Sequence, residues 1–314
     1  MSARSLGLLA GYLADQLWGD PERCHPVAGF GALAARLERR LYAANRTSGA
    51  IFAATLVGAT AAAGMAVEKT ARRRPILRFL TTAMSTWAVL GGRSLATEAA
   101  AVGHHLDAGD LLAARERLTH LVGRDTAQLD ESGIARAVIE SVAENTSDAV
   151  VAPLAFGALA GVPGLVTYRA ANTLDAMVGH RNARYAEFGW ASARLDDGLN
   201  WLPSRLAASL TVGLAPTVGG DPTTARRVWQ RDAGAHPSPN AGQIESAFAG
   251  ALDVTLGGVN QYGGQSEDRH TLGDGQPAGR GDIAAAIHLS QMVGVSSVFA
   301  AVVVANRLSR RRRS

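Results

Sequence analysis

Long apolar runs separated by polar segments dominate the chain. The three clearest runs are residues 48–67, 149–168 and 283–305. Weaker runs are residues 5–18, 79–92 and 206–220. An α-helix needs about 20 mainly apolar residues to cross the hydrocarbon of a bilayer. The pattern therefore predicts an all-α, polytopic helical membrane protein. Buried helices of a large soluble protein are the alternative, which three runs of this length argue against.

Two segments have a different character. Residues 93–142 carry apolar positions at spacings of three and four, which predicts amphipathic helices, one of them capped by Asp130 or Ser132. Glycine and proline are frequent from 232 to 281, which predicts extended polar loops. We therefore expect one integral-membrane domain over 1–314, with a cytoplasmic helical insert at about 93–142 and a polar loop region at about 232–281.

The run 149–168 is interrupted. Pro153 and Pro163 break it, and Gly157, Gly161 and Gly164 loosen it. Broken helices at membrane depth usually line a cavity, because their freed backbone groups need partners. The fold is thus expected to contain several broken or short transmembrane helices beside large cytoplasmic helical loops.

Arginines border the apolar runs and indicate orientation. Arg307 and residues 310–313 follow the last run, which predicts a cytoplasmic C-terminus by the positive-inside rule. Residues 72–74 mark a cytoplasmic turn by the same rule. The location expected is therefore the cell membrane, crossed several times. The sequence pI of about 9.7 is compatible with nucleic-acid binding, but basic residues placed beside apolar runs favour the membrane, and no nucleic acid is expected.

Single residues exclude several chemistries. Lys69 is the only lysine, and its surroundings are neither a P-loop nor a Schiff-base site, so no PLP is expected. Cys24 is the only cysteine, which leaves no internal disulfide and no cysteine zinc site. His236 has no second histidine at metal-ligand spacing, so no zinc is expected there.

An acidic row precedes the run 149–168. On a helix Glu140, Glu144 and Asp148 lie at i, i+4 and i+8, where like charges cost about 0.2–0.5 kcal/mol per pair. Arg136 can balance Glu140. Glu144 and Asp148 are then left for a metal ion, another arginine or a substrate. A solvated helix face is the alternative.

A second polar cluster follows the same run. Asn172 and Asp175 are one helical turn apart, with Arg169 one turn before them. The polar residues that come next are His180, Arg181, Asn182, Arg184, Arg194, Asp196 and Asp197. Paired carboxylates beside arginines suit an anionic substrate that carries magnesium, such as a nucleotide. Surface ion pairs of a cytoplasmic loop are the alternative.

A third group lies in the Gly- and Pro-rich region. It comprises His236, Asn240, Glu245 and Asn260 within a series interpreted as loop. Pro237 and Pro239 restrict the backbone there. A lone histidine before proline is more often a turn residue than a ligand. His25, also before proline, is interpreted in the same way, as a loop residue by default and a substrate contact by hypothesis.

Several of these segments together are distinctive. They are GDPERCHPV, LVGRDTAQLDESGIARAVIESVAENTSDAVVAPL, YRAANTLDAMVGHRNARYAEFGWASARLDD, and HPSPNAGQIESAFAGAL with LGGVNQYGG. In this order they resemble the cobinamide synthase family of cobalamin biosynthesis (CobD/CbiB type), over nearly the whole chain. Two departures are visible: Cys24 stands where a proline is expected, and residues 265–280 are Gly-rich and look shortened, which affects loop details.

The resemblance implies a ligase that forms a carbon–nitrogen bond. Such an enzyme amidates the propionate f side chain of (adenosyl)cobyric acid with aminopropanol or its phosphate, and yields cobinamide or cobinamide phosphate. ATP and Mg²⁺ are the cofactors expected. The partners expected are the corrinoid, the amine and the lipid bilayer, with a homo-oligomer left open. An AmpE-like membrane sensor, which would lack the acidic motifs, and a small-molecule transporter are the alternatives.

Roles follow from this resemblance as expectations. The catalytic residues expected are Glu144, Asn145, Asp148, Asp175 and Asp197. The substrate-binding residues expected are His25, Asn172, His180, Arg181, Arg194, His236, Asn240, Glu245 and Asn260. The magnesium ligands expected are Glu144, Asp148, Asp196 and Asp197. Asp175 is the expected base, Arg181 and Arg194 are expected to meet phosphates, and Asn145 and Asn172 to orient the acyl group.

Overall fold

The computed structural model describes residues 1–20, 25–180, 182–262 and 265–311. The helices are, in chain order, α1 (Ala3–Trp18), α2 (Pro26–Leu41), α3 (Arg46–Ala71), α4 (Pro75–Val89), α5 (Gly92–Asp107), α6 (Leu111–Leu118), α7 (Glu131–Thr146), α8 (Ala152–Ala160), α9 (Val162–Val178), α10 (Trp190–Leu214), α11 (Pro222–Asp232), α12 (Ala241–Leu252) and α13 (Arg280–Arg311). The strands are β1 (Val254–Tyr262), β2 (Gln265–Leu272) and β3 (Gln276–Pro277). The fold is therefore nearly all-α, with one small sheet.

The chain divides into two compact units that alternate along the sequence. Unit 1 comprises Met1–Gly91, Ala152–Asn200 and Ser297–Ser314. Unit 2 comprises Gly92–Val151 and Trp201–Ser296. The boundaries fall within α10 and α13 and at the start of α5 and of α8. The expectation of a single domain stays a prediction.

In unit 1, α1 packs against α4 through small residues. A Cβ on Gly7 would lie 2.6 Å from Cβ of Thr82, and one on Gly11 would lie 2.5 Å from Cβ of Thr86. Real side chains do not approach this closely, so only glycine lets the two helices come together here. Small residues that allow backbones to approach are typical of helix pairs in membranes.

The predicted break within residues 149–168 is confirmed. A π-helical turn (Ser147–Val151) precedes α8, and α8 ends before Gly161, whose φ of 75° is in the left-handed region. Pro163 stands in the first turn of α9, where its missing N–H costs nothing. The apolar run thus forms two short helices instead of one span.

Two helices of the described chain are long and apolar enough to cross a membrane. They are α3, over Arg46–Ala71 with a mean hydropathy of 1.9, and α13, over Arg280–Arg310 with a mean hydropathy of 1.8. Only 22% and 39% of their most apolar windows are buried inside the protein, unlike the core helices of a soluble protein. Two such helices give weak support for a membrane location.

Unit 2 packs around α7. Ile134, Val138 and Ile139 of this helix are fully buried in the hydrophobic core of the unit. Asp130 caps the helix as predicted, because its Oδ1 accepts a hydrogen bond from the backbone N–H of Gly133 at 2.8 Å. The N-cap side chain satisfies a donor that the first helical turn leaves without a partner.

The prediction of extended polar loops over 232–281 is wrong, and the predicted all-α fold is confirmed only as a nearly all-α one with a small sheet. Residues 241–252 form the buried helix α12, and β1 pairs with β2 in an antiparallel hairpin, with β3 parallel to β1. Gly257 and Gly258 have φ of 77° and 82° and form an irregularity in the register of β1. Here glycine makes a β-bulge within a strand, so its frequency was misleading as a loop signal.

Candidate functional site

A buried carboxyl group lies at the centre of the polar cluster in unit 1. Asp196 of α10 is only 8% exposed. Asn172 of α9 donates to its Oδ1 at 3.3 Å, and Asn200 donates to its Oδ2 at 2.9 Å. The hydroxyl of Tyr168 donates to Oδ1 of Asn200 at 2.8 Å and fixes that amide in turn. Each oxygen of Asp196 therefore has a defined amide donor.

The surroundings of Asp196 change its acidity. Burial, followed by the negative charge of Asp175, raises its pKa to about 7. The amide donors Asn200 and Asn172 act in the opposite direction, and Asp197 contributes a smaller upward shift. A carboxyl group that titrates near neutrality can accept or return a proton under physiological conditions. Perturbed carboxyl groups of this kind concentrate at functional sites.

Asp175 is held close to the end of α9. The backbone N–H of Gly179 donates to its carbonyl oxygen at 2.7 Å, and a Cβ at position 179 would collide with its Oδ1. Only glycine at that position allows the carboxylate to fold over the helix end. Asp175 and Asp196 influence each other electrostatically, so the predicted grouping of these two acids is found within unit 1.

A cavity of about 340 Å³ in unit 1 adjoins this cluster. Pro26 and Phe30 from the segment after His25 line it, together with Arg169 of α9. Nε of Arg169 is buried without a hydrogen-bond partner, and its Nη1 reaches Oδ1 of Asn172 at 3.5 Å. The guanidinium group therefore connects the cavity to the donor of Asp196. The sequence indicated only that Arg169 lies one helical turn before Asn172 and Asp175.

Other residues expected to bind substrate in unit 1 lie on the surface. His180 is exposed, and the exposed Arg194 has its Nη1 4.0 Å from Oδ2 of Asp197, one helical turn away. Such pairs contribute about 0–1 kcal/mol. His25 caps α2, because its Nδ1 accepts from the backbone N–H of Val27 at 3.1 Å. Arg181 and Cys24 lie outside the described residues.

In unit 2, Glu140 is engaged in a buried network. Arg124 donates to its Oε2, the backbone N–H of Gly257 donates to its Oε1 at 2.7 Å, and Nε of Arg136 lies 3.9 Å from Oε1. The predicted balance of Glu140 by Arg136 is therefore found. Arg124 is a partner that local spacing could not indicate, because it lies outside the helix of Glu140.

Asn260 completes this network. Its Oδ1 accepts from Nη1 of Arg124 at 2.9 Å and from Nη2 of Arg136 at 3.3 Å. Asn240 also has a partner, because the hydroxyl of Ser204 donates to its Oδ1 at 3.2 Å. Both asparagines are buried and serve the packing of unit 2. Their expected role in substrate binding stays a prediction.

Glu245 and His236 form a second buried pair in unit 2. The side chain of Glu245 is fully buried, and neither of its oxygens has a hydrogen-bond partner. Burial raises its pKa well above the usual value, helped by the charges of Glu140 and Glu144. Burial also lowers the pKa of His236 to about 4, helped by the charge of Arg269. His236 is therefore neutral at pH 7, and folding favours the protonated, neutral form of Glu245.

The acidic row of the sequence is only partly regular. Glu144 lies on α7, whereas Asp148 lies in the π-helical turn, so the expected stacking of Glu140, Glu144 and Asp148 on one α-helical face is wrong. The π-turn shifts the register after Thr146. Glu144, Asn145 and Asp148 are all half-buried, and Nδ2 of Asn145 donates to the carbonyl oxygen of Ser141 at 2.9 Å.

Metal binding places a geometric demand on the carboxylates. Among the residues that the structure describes, no three or more His, Cys, Asp or Glu side chains are arranged to hold a metal ion. Mg²⁺ that travels with a nucleotide needs only one or two carboxylates, since water and phosphate supply its other ligands. The charges of Asp175 and Asp197 both act on Asp196, so these three carboxyl groups lie near one another in unit 1.

Comparisons with known proteins agree over nearly the whole chain. The family model described as CobD/Cbib protein matches residues 8–290. Cobalamin biosynthesis protein CobD of Mycobacterium tuberculosis is 48% identical over 305 residues, 97% of this chain and 96% of the relative. The CobD proteins of Chromobacterium violaceum and Halalkalibacterium halodurans are 44% and 40% identical, over 88% and 87% of this chain and 89% and 87% of theirs. No solved structure matches. The chain belongs to the CobD/CbiB family of cobalamin biosynthesis proteins.

Proposed function

We propose that this protein converts (adenosyl)cobyric acid to cobinamide, or to cobinamide phosphate, by ATP-dependent formation of an amide. The amine is aminopropanol or its phosphate, and the carboxylate is the propionate f side chain. Membership in a family of cobalamin biosynthesis supports a corrinoid substrate. The observation that carries the chemistry is the link from the cavity through Arg169 and Asn172 to Asp196, whose pKa is about 7.

The reaction requires activation of a carboxylate. The propionate oxygen attacks the γ-phosphorus of ATP, which gives an acyl phosphate and releases ADP. The amine nitrogen then attacks the acyl carbon, the C–N bond forms, the C–O bond to phosphate breaks, and inorganic phosphate leaves. The ammonium form of the amine must lose a proton before attack, and the nitrogen loses a second proton as the amide forms.

Asp196 is proposed to accept the first of these protons. With a pKa of about 7, its carboxylate is well populated at neutral pH and is basic enough to take a proton from an ammonium ion that is being desolvated. Asn172 and Asn200 hold its two oxygens in fixed directions. Fixed orientation lowers the entropic cost of bringing the reacting atoms together. The earlier expectation of Asp175 as base is replaced by a supporting role, in which its charge raises the pKa of Asp196.

Arg169 is proposed to bind an anionic group of a substrate. Its guanidinium group lines the cavity and has an unsatisfied buried N–H. Arginine recognises carboxylates and phosphates through paired hydrogen bonds. At about 340 Å³ the cavity is near the lower end of the range for small-molecule sites. This volume fits the small amine, or one acyl arm, better than an entire corrinoid.

Asp197 is proposed as a ligand of the magnesium that accompanies ATP. When bound, this ion would neutralise charge on the phosphates. Glu144 and Asp148 of unit 2 remain a proposed pair of ligands for the same purpose. Asn145, His236, Asn240, Glu245 and Asn260 remain proposed substrate contacts.

A multi-pass location in the cell membrane, with the C-terminus in the cytoplasm, is part of the proposal. The two apolar helices α3 and α13 support it. The large apolar side chains that these helices expose also support it. Among them, Ile51 is 53% exposed and Phe299 is 60% exposed. Exposed apolar surface on this scale is costly in water and indicates contact with lipid or another apolar partner.

One assay tests the proposed reaction. Purified full-length protein in detergent is incubated with ATP, Mg²⁺, cobyric acid and each amine in turn, and the corrinoid is analysed by mass spectrometry. We expect a corrinoid with the mass of the amide and stoichiometric ADP. Unchanged cobyric acid with both amines, from protein shown to be folded, would contradict the proposal and favour a sensor or a transporter.

A further inference from the structure

A larger cavity of about 940 Å³ lies in unit 1 and shares no lining residue with the cavity beside Arg169. It is lined by the start of α1, the end of α3, the start of α4 and the end of α13. None of its lining residues has a role in the proposed amide formation. The lining contains the cationic residues Arg4, Lys69, Arg72 and Arg78.

These cations are not all used by the fold. Glu68 accepts from Nη2 of Arg4 at 2.9 Å and from Nη2 of Arg78 at 2.6 Å, and so ties α3 to α1 and α4. Lys69 and Arg72 form no ion pair with any residue in the part of the chain that the structure describes. Both are exposed at the cavity. One carboxylate thus faces four cations, and the cavity is complementary to an anion.

Apolar side chains form the other walls. Ile76 and Met65 line the cavity and are 76% and 56% exposed, and Leu6 is 41% exposed. Phe79 and Leu308 add further apolar surface. A ligand that satisfies both kinds of wall must combine an anionic group with a hydrocarbon part. Free phosphate would leave the apolar walls without a partner.

The cavity also has a distinctive position. Both helices that are long and apolar enough to span a membrane end at it: Lys69 is in the last turn of α3, and Leu308 is near the end of α13. In a bilayer, the cations at such helix ends lie at the level of the lipid head groups. Basic pockets between helices on the cytoplasmic side bind anionic lipid head groups.

We infer that this cavity binds an anionic phospholipid. Its phosphate is held by Lys69 and Arg72, and its acyl chains lie over Leu6, Met65 and Ile76. The inference rests on the membrane location within the proposed function, but not on amide formation. The proposed ligand would connect the ends of α1, α3, α4 and α13.

Lipid retention by the purified protein tests this site. Full-length protein in a mild detergent is exchanged with an equimolar mixture of phosphatidylglycerol and phosphatidylcholine, and the lipids that remain bound are counted by native mass spectrometry. The test variant carries Lys69→Gln and Arg72→Gln. The matched control carries Arg39→Gln and Arg40→Gln, which removes two exposed arginines of α2 that do not line the cavity.

We expect one phosphatidylglycerol to be retained in preference to phosphatidylcholine. Each cation near an anionic lipid contributes about fivefold in affinity, so the double variant should bind about thirtyfold more weakly. The control should bind as wild type does, and Lys69→Arg should retain binding. Size-exclusion profiles identify any variant that fails to fold. If the double variant fails to fold, the single variants Lys69→Gln and Arg72→Gln decide the result. Each single variant should bind phosphatidylglycerol about fivefold more weakly than wild type.

Three results would overturn the inference. They are equal retention of the two lipids by wild type, equal loss in the test and control variants, and displacement of the bound lipid by inorganic phosphate alone. The corrinoid assay on the same preparations is read separately. Selective lipid binding by a protein that forms no amide would contradict the proposed reaction and leave the lipid site intact. Amide formation by a protein that shows no selective lipid binding would contradict the lipid site and leave the proposed reaction intact.

Discussion

Nε2 of His236 lies 3.7 Å from Oε2 of Glu245, with both side chains buried in unit 2. The backbone N–H of Ser238 donates to Nδ1 of His236 at 3.0 Å, so the neutral ring carries its proton on Nε2, facing the carboxyl group. Because the pKa of His236 is lowered to about 4, its ring is neutral at pH 7 and this contact is not an ion pair, while burial raises the pKa of Glu245 well above its ordinary value. The two residues should therefore give unit 2 opposite responses to pH.

Glu245→Gln should stabilise the protein at alkaline pH. A raised pKa means that the neutral acid contributes stability below its ordinary value near 4.5, and that this contribution is lost as pH rises through the folded-state pKa. Glutamine keeps the shape without the charge. We expect the free energy of unfolding to rise by about 1–3 kcal/mol at pH 8, with little change at pH 5. Urea unfolding at both pH values measures this. The exposed control Glu116→Gln should change neither value, and a loss of stability at pH 8 would contradict the assignment.

His236 should limit stability in acid. A lowered pKa means that the neutral ring is favoured by folding, so stability is complete above the ordinary value of 6.5 and is lost as pH falls towards 4. The fall in the pKa of His236 from 6.5 to about 4 corresponds to a contribution to the free energy of unfolding on the order of 3 kcal/mol. Unfolding measured between pH 7 and pH 4 should show a shallower loss in His236→Gln than in wild type. His120→Gln, at an exposed position, serves as control, and equal slopes for wild type and His236→Gln would refute the role.

Arg124→Gln should be strongly destabilising. Arg124 is 7% exposed and donates to both Glu140 and Asn260, so its loss leaves a buried carboxylate without its main partner. Breaking a buried ion pair costs about 3–5 kcal/mol. Arg194→Gln removes an arginine whose side chain is 62% exposed and should cost at most about 1 kcal/mol. Equal free energies of unfolding for the two variants would show that the network around Glu140 contributes little.

Arg169→Gln should weaken substrate binding more than turnover. Hydrogen bonds to charged groups contribute about 1.5–3 kcal/mol, which corresponds to a rise in KM of about 10- to 150-fold. Steady-state kinetics with each substrate varied in turn identifies the one that Arg169 holds. The exposed Arg36→Gln on α2 is the control. A fall in kcat with every KM unchanged would show that the guanidinium group does not bind a substrate.

Local sequence signals predicted what depends on neighbouring residues. The break in the run 149–168, the Asp130 cap and the contact of Arg136 with Glu140 each arise within a few residues of chain. The polar cluster of unit 1 was also indicated, because α9 and α10 both carry acids and amides.

Contacts between distant segments could not be predicted in this way. Arg124 meets Asn260 across 136 positions, and only the hairpin brings them together. That hairpin was itself hidden, because the glycines that form its bulge look the same in sequence as loop glycines. Asn200 was not identified as a partner of Asp196, since an amide on a long helix is usually a surface residue. The cavity beside Arg169 depends on packing that no periodicity encodes.

The pH dependence of kcat for amide formation in wild type, Asp175→Asn and Asp196→Asn tests the central claim most directly. If Asp196 accepts the proton, its carboxylate is the active form, so wild-type kcat should rise through pH 7 to a plateau. Asp175→Asn removes a charge that raises this pKa, and should move the midpoint to lower pH with the plateau largely kept. Asp196→Asn should lose about 10²-fold or more in kcat, together with the pH-dependent limb. Loss of turnover in Asp175→Asn, with an unchanged profile in Asp196→Asn, would contradict the account.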